Sequence, residues 1–485
     1  MSLMELRDSF LRSFYRDSSS SVSEYGALTA RNSFDYLFQW LKSIVVVFHS
    51  SLFAGLFFIL LFFRLSVTAV CKFFIKLLFV YPFQYLVFYF GFRVKYRRLK
   101  VTSGKKNVLC IIPSMVMGGA ERAVLNLAKG VDRRKYVFHV MTTSEESHVW
   151  AGVFASFFQN VFSPKITKIQ ALYDYDTIYY KYFRFLMRKL NISVVLISHS
   201  DTAYKYLPRL KSSFRSLKII DMLHVKNWPP RSMREGAAPY VDRRVCISQD
   251  LKDYVLNGYA ESGLSSRYSG RLEVIYNGVD TREYSSCSVE KGKFRAKFSI
   301  PGDEKLVSFV GRFSEEKNPA VFVEIAKRVL AESDSKLKFV MAGDGPEFEK
   351  VHRMIENYDL QDRFVLPGMV QDVAELLNDT LILLVVSKTE GIPFVILEAM
   401  SMGVPVLSVD VGGISEVVTN GLNGFLISPR ESVVDSFTEK VLELTEGQLN
   451  YDEISEKAKE TIEARFTLNS MSSRYELLLD ELTRI

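Results

Sequence analysis

Residues 387–406, with the sequence SKTEGIPFVILEAMSMGVPV, lie between two short apolar runs of the chain. The runs at 381–386 and 405–409 have the length and β-branched content of strands. Between them, Pro393 suits the first turn of a helix that continues through Met402. Two strands connected through a helix are parallel in one sheet, so this stretch predicts an α/β fold.

The same alternation of strand and helix patterns extends over most of the chain from about residue 106. It stops at a hydrophilic stretch around 281–293 and then restarts, which predicts two Rossmann-like, doubly wound lobes that face a cleft. The predicted strands lie at 107–113, 136–142, 193–198, 217–222 and 244–247 in the first lobe, and at 306–310, 337–341, 381–386 and 405–409 in the second.

Ligands of such sheets bind beyond the carboxyl ends of the strands, so we expect the chemistry in the loops that follow strands. The loop after the first strand of the second lobe contains Arg312 and Lys317. Both cations leave one strand end within a short loop, so they can converge on a diphosphate. Two solvated surface charges are the alternative interpretation.

Two glycine turns also follow strands. Gly118 and Gly119 precede a helix, where small residues let the backbone approach an anion at the helix N-terminus, although glycine at such a turn is often purely structural. Gly343 opens a G-x-G turn that suggests a dinucleotide fingerprint. Phe348 occupies the position of the third glycine and obstructs close helix packing, which argues against a nicotinamide dehydrogenase.

Two carboxylates flank the start of the helix in 387–406. Glu390 lies in the loop at the carboxyl end of the strand, and Glu398 lies one to two turns into the helix. At this spacing they occupy different depths along a ligand, which fits a nucleotide sugar with one acid at the sugar and one at the ribose. The alternatives are a helix-capping acid for Glu390 and a surface acid for Glu398.

Together these motifs resemble glycosyltransferase family 4 (glycosyl transferases group 1), whose members are retaining enzymes of the GT-B fold. Glu390 and Glu398 match the E-x7-E signature of that family. Six further matches are G-G-x-E at 118–121, N-G-V-D at 277–280, G-R-x-x-x-E-K-N at 311–318, G-D-G-P at 343–346, E-A-M-x-x-G-x-P-V at 398–406 and G-G-x-x-E-V-V at 412–418. Their order over residues 107–430 makes the resemblance specific.

The resemblance implies the roles of individual residues. Arg312 and Lys317 neutralise the diphosphate, and Glu390 contacts the donor sugar. The implied donor-binding residues are Gly118, Gly119, Gly311, Gly343, Gly391, Ile392, Pro393, Phe394 and Glu398, the last at the ribose. His199 fits a family histidine that orients or polarises the sugar, and the acceptor-side candidates are His224 and Glu121.

Two departures from the family pattern leave the donor open. Val386-Ser387 stands where the family often has Pro-Ser, and Glu390-Gly-Ile-Pro393 stands where it often has E-G-F-G.

The first hundred residues lie outside the resemblance and predict a membrane segment. Residues 44–63 have spanning length and no fixed charge, after a polar region at 1–43. The aromatic-rich tract 77–92 spans the bilayer, re-enters it or lies in the interface, or else the apolar residues form a buried hairpin of a soluble protein. Five cations within residues 93–100 predict the cytoplasmic side, near anionic lipids.

Composition excludes several other classes of protein. The net charge of +7 is modest for 485 residues and partly local, which argues against nucleic-acid binding. Four dispersed cysteines form no disulfide framework and indicate a reducing compartment, and six scattered histidines form no metal-binding pattern. We therefore expect no metal and no cofactor beyond the donor substrate.

The predicted protein is a hexosyltransferase-type enzyme with catalytic lobes on the cytoplasmic face of a membrane. It moves a sugar from a nucleotide-diphosphate sugar to an acceptor hydroxyl, of a lipid-linked glycan or a cell-surface polysaccharide precursor. The predicted regions are 1–43, the membrane segment 44–100, the acceptor lobe 105–285, the donor lobe 286–467 and a C-terminal helix 468–485 that crosses back to the first lobe. The oligomeric state is left open.

Three alternatives remain open on the sequence: a transferase with a soluble acceptor, a catalytically silent GT-B scaffold, and a sugar phosphorylase. Retention can use a carboxylate nucleophile, as in retaining glycosidases. The resemblance implies instead a front-side substitution in which the departing diphosphate helps to deprotonate the acceptor.

Overall fold

The computed structural model of the chain describes Leu99, Thr102 and residues 104–116, 118–144, 148–163 and 175–484. The predicted membrane tracts at 44–63 and 77–92, and the cations of the 93–100 cluster, lie outside these residues. Among the residues that the structure describes, no helix is long and apolar enough to cross a bilayer.

The first lobe is built on a parallel sheet in which seven strands are described, in the order β3-β2-β1-β4-β5-β6-β7. Its strands are β1 (Lys106–Ile112), β2 (Tyr136–Thr142), β3 (Asn160–Phe162), β4 (Ile192–Ser198), β5 (Lys218–Leu223), β6 (Arg243–Cys246) and β7 (Leu272–Val274). The described helices are α1 (Gly119–Gly130), α2 (Ala151–Phe157), α3 (Tyr175–Lys189), α4 (Asp201–Ser213), α5 (Arg231–Ala237), α6 (Gln249–Glu261) and α7 (Ser265–Tyr268), with 3₁₀ turns at Ala238–Tyr240 and Ser269–Arg271.

The second lobe repeats this architecture with six parallel strands in the order β10-β9-β8-β11-β12-β13. The strands are β8 (Lys305–Val310), β9 (Leu337–Ala342), β10 (Phe364–Gly368), β11 (Thr380–Val385), β12 (Val406–Val409) and β13 (Phe425–Ile427). The helices are α8 (Lys293–Lys297), α9 (Pro319–Glu332), α10 (Phe348–Asn357), α11 (Val373–Asp379), α12 (Phe394–Ser401), α13 (Val433–Thr445), α14 (Tyr451–Arg465) and α15 (Leu468–Thr483), with 3₁₀ turns at Gln361–Arg363 and Ile414–Glu416.

Burial explains why these runs form central strands. All seven residues of β2 and six of the seven in β1 are buried, as expected for strands covered by helices on both faces. In the second lobe two hydrophobic clusters, one around Phe322 and the other around Ile396, include side chains from different strands and helices. The two parallel sheets with their helices form the α/β architecture that the sequence predicts.

The strand orders determine where loops can form a site. The order reverses between β1 and β4 in the first sheet and between β8 and β11 in the second. At such a switch point the loops diverge and leave a crevice at the carboxyl ends of the strands. Gly118 and His199 follow β1 and β4, whereas Arg312 and Glu390 follow β8 and β11. The predicted site residues thus lie at both switch points.

The C-terminal helix α15 packs on the first lobe. Its Met471, Tyr475 and Leu478 belong to the same hydrophobic cluster as Val108 of β1 and Leu127 of α1. The chain therefore passes between the lobes twice. The two passages touch near residue 279, where the Val279 N–H donates to the Phe466 carbonyl at 2.9 Å.

Each predicted strand is present with ends shifted by no more than one residue. The prediction that Pro393 lies in the first helical turn is wrong. Pro393 has φ −66° and ψ 134° and is the residue that precedes α12, which begins at Phe394 and ends at Ser401. Because Pro393 has an extended ψ, the helix begins at Phe394, and residues 387–392 remain in the loop before it.

Candidate active site

A cation and an acid meet where β11 ends. The Lys317 ammonium forms an ion pair with Oε1 of Glu390, whose side chain is only 8% exposed. The Ser387 hydroxyl donates to the same oxygen at 2.7 Å. Two loops from neighbouring strands thus bring together a partly exposed cation and a buried carboxylate, both among the predicted site residues.

Arg312 lies in the same loop as Lys317, but its environment is different. It is exposed, and within the described part of the chain its guanidinium forms no ion pair. The loop itself is held by the Lys388 N–H, which donates to the Glu316 carbonyl at 2.8 Å. The loop therefore keeps one cation paired with Glu390 and leaves the other open to a ligand.

Gly343 and Gly311 form a close backbone contact. Gly343 has φ +144°, and a Cβ atom there would overlap the carbonyl oxygen of Gly311. The Gly311 N–H donates to the Ala342 carbonyl at 3.0 Å. Gly343 thus lets the turn after β9 pack against the start of the cationic loop.

On the first lobe, His199 and His224 form an edge-to-face pair with ring centroids 5.0 Å apart. Nε2 of His224 shares a hydrogen bond with the Ser198 hydroxyl at 2.9 Å. Nε2 of His199 is buried and has no hydrogen-bond partner among the described residues. His199 also has a left-handed backbone, φ 52°, a strained conformation that occurs preferentially at functional sites.

Burial determines the charge of this histidine pair. It lowers the pKa of His199 from 6.5 to about 4. Burial also lowers the pKa of His224 well below its ordinary value, and the neighbouring His199 adds to that effect. Both rings are therefore neutral near pH 7, and the free Nε2 of His199 is available to a hydroxyl group of a ligand.

The loops of the two lobes touch directly at the site. A Cβ atom on Gly391 would overlap the carbonyl oxygen of His224, and one on Gly413 would lie 2.6 Å from Cβ of Ser248. Glycines at these positions let the histidine loop of the first lobe approach the loop that carries Glu390.

The paired glycines of the first lobe stand at the N-terminus of α1. Gly118 precedes the helix in an extended conformation, and Gly119 begins it. A Cβ atom on Gly119 would lie 4.0 Å from the Phe394 ring of the second lobe, whereas one on Gly118 would overlap the buried carboxylate of Glu121. The structure thus places Glu121 beside this turn.

Side chains and backbone differ in what they can offer a ligand at the start of α12. Ile392 and Phe394 are 3% and 7% exposed, and each belongs to a hydrophobic cluster. Ligand contacts from these two predicted residues therefore have to come from their backbone. The N-terminal end of the eight-residue helix α12 adds a positive dipole end to the cleft.

Glu398 is not a surface acid, because its side chain is only 2% exposed. Its Oε1 lies 2.7 Å from Nη1 of Arg122, a residue of α1 in the first lobe. Burial raises the pKa of Glu398, and the Arg122 cation opposes that rise. The second acid of the E-x7-E signature is thus part of an ion pair between the lobes.

The sequence interpretation missed three residues that the structure places at this cleft: Arg122, Tyr284 and Glu416. Arg122 follows the G-G-x-E motif directly, and Glu416 lies within G-G-x-x-E-V-V, so both were adjacent to recognised motifs. The residues that contact them are distant in sequence, so the spacing of residues within one motif does not predict these contacts. No group of three or more metal-binding side chains is found in the described residues.

Two family models match consecutive parts of the chain. The model described as Glycosyltransferase Family 4 matches residues 117–283, which extend from the turn after β1 to the linker between the lobes. The model described as Glycosyl transferases group 1 matches residues 290–461, which form the second lobe. The first match thus covers the first lobe from the turn after β1, and the second covers the second lobe.

Curated relatives share the family at moderate identity. N-acetyl-alpha-D-glucosaminyl L-malate synthase from Bacillus anthracis is 28% identical over 213 residues, 44% of this chain and 54% of the relative. UDP-Gal:alpha-D-GlcNAc-diphosphoundecaprenol alpha-1,3-galactosyltransferase from Escherichia coli is 28% identical over 221 residues, again 44% and 54%. The chain thus spans about half the length of these two relatives.

A solved structure of similar fold is Anabaena HepE in complex with UDP. It superimposes with a TM-score of 0.62 at 18% identity and covers 77% of this chain and 100% of its own. At that identity the likeness establishes the two-lobed GT-B fold alone. Since the two family models together cover both lobes, the chain belongs to the group 1 / family 4 glycosyltransferases, a family of hexosyltransferase-type enzymes.

Proposed function

We propose that this chain transfers a sugar from a nucleotide-diphosphate sugar to an acceptor hydroxyl with retention of the anomeric configuration. The observation that carries the proposal is the pairing of Lys317 with buried Glu390 at the end of β11, next to the start of α12. A cation, an acid and a helix N-terminus at one strand end suit a sugar attached to a diphosphate. The family membership supports the same reaction.

The diphosphate is the leaving group, and its negative charge grows as the bond to the anomeric carbon breaks. Arg312 and Lys317 are the cations of the loop after β8, and the glycine turn at α1 offers a second helix N-terminus. Donors fixed before the reaction stabilise that charge without reorganisation, and the loss of one typically costs about 2.7 to 4 kcal/mol. We therefore expect turnover without an added divalent metal or another cofactor.

Retention follows from a front-side substitution in this proposal. The acceptor oxygen attacks the anomeric carbon on the face from which the diphosphate departs, and the departing oxygen takes the acceptor proton. The Glu390 carboxylate already holds Lys317 and Ser387, which suits a hydrogen-bond acceptor for sugar hydroxyls better than a nucleophile. Neutral His199, with its free Nε2, orients the sugar from the opposite lobe.

A lipid-linked glycan or polysaccharide precursor is the acceptor that we propose. The relative from Escherichia coli is named for action on a GlcNAc-diphosphoundecaprenol. The apolar residues 44–63 and the cations of 93–100 further support a catalytic cleft at the cytoplasmic face of a membrane, in contact with its lipids. A soluble acceptor is the second candidate, because the relative from Bacillus anthracis is named an N-acetyl-alpha-D-glucosaminyl L-malate synthase.

The test is incubation of the purified full-length protein with radiolabelled nucleotide sugars and cell membranes. Label in the organic extract supports the lipid acceptor, and label on small polar molecules supports the soluble one. A reaction that requires free phosphate would instead indicate a sugar phosphorylase. If the protein binds no nucleotide sugar and transfers no label, it is a silent scaffold and the proposal is wrong.

A further inference from the structure

Arg122 and Glu398 form an ion pair that joins the two lobes at the cleft. Arg122 lies on α1 and Glu398 on α12, and Nη1 of the guanidinium is 2.7 Å from Oε1 of the carboxylate. The arginine side chain is 21% exposed and the glutamate side chain 2% exposed. A buried carboxylate needs a nearby cation to remain charged, and Arg122 is that cation.

A third element fixes the guanidinium. Nη2 of Arg122 donates to the Tyr284 hydroxyl at 2.6 Å, and the guanidinium lies 5.6 Å from the centroid of the Tyr284 ring. Tyr284 is itself tied to α12, because its carbonyl accepts the Ser401 hydroxyl at 2.7 Å. Arg122 therefore has one orientation determined by α1, the linker and α12.

Oε1 of the Glu398 carboxylate can accept one further hydrogen bond. The charged and titratable groups that act on it are Arg122 from α1 and Glu283 and Tyr284 from the linker, and the Tyr284 hydroxyl acts on the carboxylate as a hydrogen-bond donor. Its Oε1 accepts no hydrogen bond from the residues that the structure describes, since Arg122 approaches as an ion pair without hydrogen-bond geometry. A buried acceptor without a donor is the state expected where a ligand hydroxyl completes the site.

We propose that Arg122 is the positioning residue for nucleotide binding: it keeps the Glu398 carboxylate charged and oriented so that the ribose hydroxyls donate to it. This inference rests on the proposed function, because it assumes a nucleotide in the cleft. It also connects affinity to lobe closure, since the cation and the carboxylate come from different lobes. A ribose that binds Glu398 thereby stabilises the closed arrangement of the cleft.

The test compares nucleotides that differ only in the ribose hydroxyls. The full-length chain is titrated by calorimetry with UDP, GDP, ADP and CDP, and then with the 2′,3′-dideoxy form of the nucleotide that binds best. We expect Arg122→Met to weaken the ribonucleotide by about 10- to 100-fold, the range for a hydrogen bond to a charged group. The affinity for the dideoxynucleotide should change little in Arg122→Met, because this nucleotide has no ribose hydroxyl that could donate to Glu398.

The dependence on pH separates this role from a merely structural one. Without the opposing cation, burial raises the pKa of Glu398 further, so the affinity of Arg122→Met for the ribonucleotide should rise more steeply with pH than that of the wild type. Arg122→Lys should restore most of the affinity. Arg134→Met, which removes a 91% exposed arginine of the same lobe, is the control and should bind as the wild type does.

Each outcome decides one of the two proposals. If the wild type binds no nucleoside diphosphate, the proposed function is wrong. If the wild type binds but Arg122→Met loses both nucleotides equally and shows no change with pH, the inference is wrong and Arg122 is structural. If Arg122→Met does not fold, Tyr284→Phe takes its place, because it removes the hydroxyl that anchors Arg122 and acts on Glu398, and it should weaken the ribonucleotide selectively.

Discussion

The Glu416 carboxylate, in the second lobe, accepts the backbone N–H of Gln249 in the first lobe at 2.8 Å. Its other oxygen accepts the N–H of Asp250, also at 2.8 Å, and the Tyr276 hydroxyl donates to Glu416 at 2.9 Å. Gln249 is the first residue of α6, so the acid of one lobe caps a helix of the other. Unpaired N–H groups and the positive dipole end at a helix N-terminus both favour an anion.

We predict that Glu416→Ala loosens the contact between the lobes. The loss of a carboxylate cap should lower stability by about 0.5 to 2 kcal/mol and increase the radius of gyration of the nucleotide-free protein. Thermal unfolding and small-angle X-ray scattering measure the two effects. Glu431→Ala, at an exposed acid of the same lobe, is the control, and equal scattering curves for all three proteins would contradict the prediction.

Removal of a cation from the loop after β8 should reduce turnover without loss of folding. We expect Arg312→Ala and Lys317→Ala each to lower turnover by about 10²-fold or more, because each removes a donor that stabilises the leaving diphosphate. Glu390→Gln should be similarly impaired, whereas Glu398→Gln should mainly weaken nucleotide binding. Initial rates with the active nucleotide sugar measure the turnover of each variant, and Lys350→Ala, at an exposed lysine, is the control. Near-normal turnover of both cation variants would refute the diphosphate assignment.

Gly391→Ala should separate the histidine loop from the Glu390 loop. The added methyl group would overlap the His224 carbonyl oxygen, so the two loops have to move apart and turnover should fall. Gly270→Ala is the matched control, because a Cβ atom there meets no atom within 4 Å and neither glycine has a positive φ. Equal activities of the two variants would mean that the lobes do not touch here during catalysis.

His199 should make folding depend on pH in the acid range. The unfolded chain takes up a proton near pH 6.5, but folded His199 stays neutral until about pH 4. The stability that this residue contributes is therefore present above pH 6.5 and is lost as the pH falls to 4. In His199→Asn, the free energy of unfolding should decline less steeply over this window, by up to about 1.4 kcal/mol per pH unit. Urea unfolding at several pH values measures the slopes, and equal slopes for His199→Asn and the wild type would contradict the prediction.

The full-length protein should require detergent for extraction from membranes. Residues 44–63 have the length of a spanning helix, whereas each cation of 93–100 adds only about 1 kcal/mol of surface attraction. A chain that begins at Gly104 should be more soluble, retain donor hydrolysis and lose transfer to lipid-linked acceptors. Release of the full-length protein by high salt would exclude insertion, and unchanged transfer by the shorter chain would exclude a lipid acceptor.

The central strands and the loops after them could be predicted from the sequence because strands buried on both faces are nearly continuous apolar, β-branched runs. The three-residue strands β3 and β13 were not predicted because so few residues form no recognisable run, and β10 was not predicted because its sequence FVLPG ends in proline and glycine. The same limit applies to the site. Lys317 and Glu390 were both selected from their loops, but their ion pair was not predicted, nor was the contact of Glu398 with Arg122, because these pairs join distant parts of the chain.

Because α15 packs on the first lobe, that lobe cannot be complete until the second lobe has been translated. The second lobe is contiguous in the chain, whereas the hydrophobic core of the first lobe includes Tyr475 and Leu482, which follow the second lobe in sequence. A ribosome-bound nascent chain thus has all strands of the first sheet long before it has the helix that covers them. The lobe that is translated first is the last to bury its apolar surface, so this surface is accessible to chaperones until α15 has been translated.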